Sequence, residues 1–182
     1  GNKQWDTAYG GSDVDQLKTL EQTSDGGYIL GGLSRSPASG DKSQSAYQDF
    51  FLSATADYWV IKIDSNRHIQ WEKTLGGDGE DALASVQQTK DGGYIIGGHS
   101  YSSGTGGDKS MDAIAAYDYD YWMLKLDANG NKQWDRQYGS TGTEMFPSVR
   151  QTPDGGYIVG GTSYAGAVDH DRSAPARGSI DY

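Results

Sequence analysis

The chain has 182 residues and a net charge of −10, from 25 acidic against 15 basic side chains, so a phosphate backbone is repelled on average and nucleic acid is disfavoured as a partner. No apolar run approaches the roughly eighteen residues of a membrane-spanning helix, no signal-peptide pattern is present, and the absence of cysteine removes disulfides, thiolate metal sites and thiol nucleophiles together. Apolar residues reach only 35%, but 27 Gly and 13 Tyr fill the difference, the profile of a turn-rich β protein in one repetitive domain.

From the N-terminus, Trp5 marks the first copy of a Trp-bearing strand and Leu17 to Thr23 a second strand. Asp25-Gly26 then signals a tight turn into Tyr28-Ile29-Leu30-Gly31-Gly32. That last motif returns as Tyr94-Ile95-Ile96-Gly97-Gly98 and Tyr157-Ile158-Val159-Gly160-Gly161, 66 and then 63 residues on, so the chain is a tandem repeat. The repeats are divided as 1–56, 57–119 and 120–182.

The middle copy shows every element. Tyr58 to Ile63 alternates Trp59, Ile61 and Ile63 on one face with Tyr58, Val60 and Lys62 on the other, a pattern that Trp122, Leu124 and Leu126 repeat. Asp64-Ser65-Asn66-Arg67, matched by Asp127-Ala128-Asn129-Gly130, predicts a hairpin turn in which Asn and Gly supply positive φ. The partner strand Ile69 to Leu75 carries Trp71, whose equivalents are Trp5 and Trp134; a Gly-containing link leads to Leu83 to Thr89 and then to Gly93 to Ser100. The last strand, apolar on both faces and ending in a Gly pair, reads as the innermost strand near a central axis, where another backbone approaches closely.

Three long polar loops, about residues 35–56, 101–119 and 164–180, interrupt these tight repeats, and insertions of this kind fall on one face, often the binding face. The second holds Met111 to Tyr117, which fits one helical turn. Each loop carries a polar triplet: Asp41-Lys42-Ser43, Asp108-Lys109-Ser110 and Asp171-Arg172-Ser173. These residues are candidates for holding a sugar or a cation through carboxylate, ammonium and hydroxyl; equally, Asp and Lys can hold each loop shut, and exact repetition favours that structural use. The loop aromatics Tyr47, Phe50, Phe51, Tyr101, Tyr117 and Tyr119 are ligand candidates, with cover for the sheet rim as the alternative of equal weight. The Trp at positions 5, 71 and 134 read as anchors packed between sheets.

Catalytic signals are thin. His68, His99 and His170 stand at non-equivalent positions without metal-ligand spacing or a triad, and Gly104 to Ser110 fails as a phosphate loop because Asp108 breaks the Gly-Lys-Ser order. Asp127 to Asn131 begins like a calcium loop, but Tyr138 stands where the Glu is required, so a hairpin turn is the better account and no cofactor is expected. An enzyme shows one singular constellation, whereas these are repeated.

The first repeat lacks a Tyr-Trp strand of its own, while Asp181-Tyr182 begins one, so a strand from more polypeptide or another chain is expected to complete the first blade.

The combination of GGYIxGG, DYW and DxNGNxxW with an SGDKS-like loop resembles the propeller-type repeats of large secreted or cell-surface proteins of Gram-negative bacteria, some exported by the type IX route, and is more distantly similar to kelch repeats. The resemblance covers essentially the whole chain, departing at Arg67-His68, Arg172 and Pro175. It implies an all-β propeller, or propeller fragment, of about three four-stranded antiparallel blades. It also implies an extracellular or cell-surface location and a non-catalytic binding or assembly role toward glycans, surfaces or sister subunits. A polymerising structural repeat and the scaffold of a glycan-active enzyme or oxidase are the alternatives.

Overall fold

A computed structural model describes residues 1–47, 55–114, 118–164, 170, 171, 173, 174, 177 and 180. These residues form an all-β fold of ten antiparallel strands in three sheets, with no helix among them. The first sheet is β1 (Asp15–Gln22), β2 (Tyr28–Ser34), β3 (Asp57–Ile63) and β4 (Ile69–Leu75), paired in chain order. The second repeats it as β5 (Asp81–Gln88), β6 (Tyr94–Ser100), β7 (Asp120–Leu126) and β8 (Lys132–Tyr138), and the third holds only β9 (Glu144–Gln151) and β10 (Tyr157–Ser163). Among the described residues no sheet closes on itself.

Ten strands lie where the sequence places them, but the segment around Trp5 forms no strand, because β4 already takes the place beside β3 that it was expected to fill, and the sheets are offset from the repeat division by two strands. The Tyr-Trp strand β3 pairs with β2 in the preceding motif, with Gly32 opposite Trp59, and β7 pairs with β6, with Gly98 opposite Trp122. The long loops therefore connect hydrogen-bonded neighbours, while the short Gly76-Gly77 link crosses from one sheet to the next. The first sheet is complete, and the two-stranded sheet is the third, which corrects the expectation of an unfinished first blade. For the same reason Gly93 to Ser100 is no innermost edge strand: β6 is flanked by β5 and β7, and all its residues are buried.

Turn chemistry explains the hairpins. Gly26, Gly92 and Gly155 adopt φ of +81°, +81° and +92°, conformations open to glycine without cost, and the carboxylates of Asp25, Asp91 and Asp154 accept the N–H groups of Gly27, Gly93 and Gly156. In the β3–β4 turn the positive φ falls on Arg67 (74°) rather than on Asn66, and Gly130 takes the equivalent place in β7–β8.

The sheets pack through β1, β2, β5, β6 and β9. The Gly pairs serve close approach, as expected, but between sheets. A Cβ on Gly31 would lie 2.7 Å from Leu83 of the second sheet, and one on Gly97 would lie 3.1 Å from Val149 of the third. Tyr58, Val60 and Leu75 of the first sheet enclose Trp122, Leu124 and Leu126 of the second in the main core. Trp71 and Trp134 each meet the next sheet's tyrosine edge-on, Tyr94 and Tyr157 respectively, at 5.5 Å between ring centroids. These are the anchors between sheets that their repetition predicts, and Trp5 makes the same contact with Tyr28. Among the described residues no helix is long and apolar enough to cross a membrane.

Candidate functional site

The polar triplets are the first test of the loop face, and the structure places all of their residues except Arg172. In all three the Asp reaches back to the glycine that follows a Trp-bearing segment. The Asp41, Asp108 and Asp171 backbone N–H groups donate to the carbonyls of Gly10, Gly76 and Gly139 at 2.9, 2.8 and 3.3 Å. Their carboxylates take the same glycines' N–H groups at 3.1, 3.2 and 3.2 Å. The Lys turns inward. Lys42 and Lys109 are each only 4% exposed, over the rings of Trp59 and Trp122. The Lys109 ammonium donates to Ser100 Oγ at 2.8 Å and to the Ser102 carbonyl at 3.1 Å, and burial holds the pKa of both lysines below the ordinary value. Ser43 and Ser110 bind Glu72 and Asp135, which also accept the indole N–H groups of Trp59 and Trp122.

The first two triplets are thus struts: the Asp clamps the preceding segment, while the Lys and the Ser fasten the loop to its own sheet. Enclosed ammonium groups do not face a surface ligand, so this geometry matches the loop-closing alternative. Ser173 and Asp171 border a groove beside the third sheet. Arg172, Phe50, Phe51 and Tyr117 lie outside the described residues, as does part of the Met111 to Tyr117 stretch; residues 111–114 carry no helix.

Of the loop aromatics, Tyr47 is 38% exposed and bonds Asp108 of the next loop, and a Cβ on Gly107 would lie 3.1 Å from its ring. Tyr101 packs tilted against Tyr119 (5.0 Å), Tyr119 meets His99 edge-on (5.2 Å) and His99 meets Phe146 edge-on (5.4 Å), a continuous row ending in a residue that is 61% exposed. Phe146 holds φ at +55°, a conformation that bulky side chains avoid, and its neighbour His99 is buried with its pKa lowered to about 4 by desolvation. Phe146 reads in sequence only as another apolar strand residue, so nothing there marked it.

A second constellation escaped sequence reading. At the junction of the first two sheets Asp57 and Asp81 are both fully buried, and each keeps one oxygen, Oδ1, without a hydrogen-bond partner. Burial, and then the neighbouring Asp81 charge, push Asp57 up to about 8; burial pushes Asp81 up to about 6. Asp120 and Glu144 recur at the next junction, where Asp120 Oδ1 is likewise unpartnered and burial raises its pKa to about 6. Only their equivalence across repeats, the Asp before each Tyr-Trp and the residue opening each first strand, could have found them.

The Asp127 carboxylate accepts the N–H groups of Asn129 and Asn131, both at 2.8 Å, and so closes its own turn, as the hairpin reading requires. Among the described residues no group of three or more His, Cys, Asp or Glu side chains is arranged to hold a metal ion.

The ends of the stack complete the geometry. Val86, which is 2% exposed, is matched at the first end by Leu20 at 59%, and Leu83, at 1%, is matched by Leu17 at 54%. At the other end Ile158 is 62% exposed although its counterparts Ile29 and Ile95 are fully buried, and nothing lies within 4 Å of a Cβ built on Gly160.

No protein-family model matches the chain, and no curated protein sequence is significantly similar to it.

Proposed function

We propose that this chain is a non-catalytic assembly module, a propeller-like run of blades that extends by stacking a further sheet of its own kind on each end. The observation that carries this reading is the reuse of one interface. Sheets one and two, and sheets two and three, meet through equivalent strands, and the two halves of that interface are left exposed at the ends as Leu17 with Leu20 and as Ile158 with Gly160. Apolar surface that is buried wherever a neighbour exists is the mark of an interaction site where none does. The resemblance to surface-protein repeats supports an extracellular or cell-surface setting, and the predominance of repeated over singular side-chain groupings supports a binding role over catalysis.

The test is sedimentation of the purified chain across a wide concentration range. Concentration-dependent association that is abolished by Leu17→Glu with Leu20→Glu supports the proposal; a monomer at every concentration refutes it. A second reading, contact with glycans, is favoured by the aromatic row ending in exposed Phe146, since sugar faces stack on such rings. A glycan array whose signals survive Phe146→Ala would remove it.

A further inference from the structure

The first strand of each sheet carries a bulge opposite its Gly pair, and in β9 that bulge is built differently. Lys18 of β1 and Ala84 of β5 are each a single extra residue between paired neighbours. In β9 the register passes from Met145 opposite Thr162 to Ser148 opposite Gly160, so Phe146 and Pro147 both stand out of the ladder. The sequence accounts for this, because Pro147 has no N–H to give to β10 and the bulge widens around it.

The wider bulge re-aims Phe146. Its equivalent in β5, Leu83, is buried and fills the space over Gly31. Over Gly97 that space is taken by Val149, and Phe146 is turned outward at a positive φ that Leu83 does not adopt. A bulky side chain that gains neither burial nor a relaxed backbone points to a use at the surface, and bulges that re-aim side chains are common beside functional sites.

The residues around Phe146 break the repeat as well. His99, Tyr101 and Tyr119 stand where the first repeat has Leu33, Arg35 and Ala56. Neutral variation would scatter such changes over the sheets, whereas these meet Phe146 in one row with 5.0 to 5.4 Å between successive ring centroids.

We infer that this row is a carbohydrate site, and that its ligand is a neutral pyranose laid over Phe146 with hydroxyls turned to His99, Tyr101 and Tyr119. The inference rests on the glycan reading, to which it gives a ligand class and named polar partners, and it is independent of the stacking of sheets.

The polar groups fit such a ligand. The Phe146 N–H donates to His99 Nδ1 at 3.5 Å, so the ring proton sits on Nε2. Desolvation, with the Lys18 charge added, lowers the His99 pKa to about 4, and at neutral pH the ring is an uncharged donor. Tyr101 and Tyr119 are half-buried, and their hydroxyls bond no other described residue, so each is able to give or take a hydrogen bond. A pyranose covers an aromatic ring with its C–H face while its hydroxyls pair with neutral donors and acceptors. An apolar peptide side chain would cover Phe146 but leave the His99 and tyrosine groups unpaired. Burial and then the Glu80 charge raise the Tyr119 pKa, and the same carboxylate opposes an anionic sugar.

The probes are the methyl glycosides of glucose, galactose and mannose, titrated through the millimolar range into the whole chain while the Phe146 and His99 ring signals are followed by NMR. Saturable shifts of both rings with at least one glycoside are expected. Phe146→Ala should weaken that binding about tenfold or more, as for an aromatic anchor, and Phe146→Trp should retain it. Tyr101→Phe, which removes only a hydroxyl, and His99→Leu should each weaken it about fivefold. Because Phe146 is exposed, its Ala variant is expected to keep the wild-type urea midpoint, which separates lost binding from lost fold. Unmoved rings with all three glycosides, or equal binding by Phe146→Ala, overturn the inference. N-acetylphenylalanine amide binding at Phe146 where the glycosides do not would mark a peptide contact and overturn it too. Glycan-array signals that Phe146→Ala abolishes but that Tyr101→Phe and His99→Leu leave unchanged, or that come from acidic glycans alone, would keep the glycan reading and remove this ligand assignment.

Discussion

Asp57→Asn should make the protein more stable in alkaline solution and leave it little changed in acid. The wild-type carboxyl accepts the Tyr47 N–H through Oδ2 while Oδ1 has no partner, and Asp81 Oδ1 across the sheet junction has none either. With its pKa raised from 3.8 to about 8, the folded state binds the Asp57 proton more tightly than the unfolded chain does. The sign follows from linkage: this contribution is fully present below about pH 4 and is lost progressively as pH climbs through about 8. At about 1.4 kcal/mol per pH unit the loss is on the order of 6 kcal/mol at most, with the nearby Lys42 charge already holding the rise in check. An Asn at this position keeps an oxygen for Tyr47 and directs an amide toward the second carboxylate without ever ionising, so a net gain of roughly 2 kcal/mol is expected at pH 8.5. Denaturant midpoints for both proteins at pH 4.5, 6.5 and 8.5 give the answer directly. Midpoints that run parallel across the three pH values, or a variant weaker than wild type at pH 8.5, would show that the two carboxyls do not oppose each other.

Burial distinguishes two Trp in the repeats. Trp122→Ala, at a fully buried ring, should cost about 4 kcal/mol, whereas Trp5→Ala, at a ring 41% exposed, should cost about 1 kcal/mol, both read from urea denaturation. Gly31→Val drives a side chain into Leu83 and should destabilise by about 1–3 kcal/mol, while Gly160→Val meets open space and should change stability by under about 0.5 kcal/mol; equal effects would contradict the inter-sheet packing. Lys62→Met removes the ammonium whose hydrogen bond, with that of the Thr23 hydroxyl, holds Asp25 down at about 2. Because Asp25 is half exposed, the cost should be about 1 kcal/mol near neutrality, and it should fade as pH drops from about 4 toward 2 and wild-type Asp25 takes up its proton.

The strand list was legible because each strand is short, alternates cleanly and is fenced by turn residues whose φ demands are specific. Ile69–Leu75 falls at the expected limits, and the Asp-Gly turns adopt the positive φ that their glycines announce. Sheet membership was not legible. A five-residue Gly-rich link reads as a connection between paired strands and a loop of some twenty residues as a break, yet here the link changes sheets and the loop does not. The loop can bridge paired neighbours because Lys42 and Lys109 plug it into the very sheet it leaves, a use of lysine that composition cannot distinguish from a solvated charge. The carboxyl junctions escaped for a related reason: Asp57 and Asp81 are 24 positions apart and look like ordinary acidic surface until the sheets are stacked.

The backward reach of the triplet aspartates gives the molecule a temporal direction. Gly10 precedes Asp41, Gly76 precedes Asp108 and Gly139 precedes Asp171, so every latch is made later in synthesis than the catch it closes on. A chain emerging from the ribosome can therefore close each aspartate latch as soon as its loop appears, while the Lys and Ser beside it wait for the strand that follows.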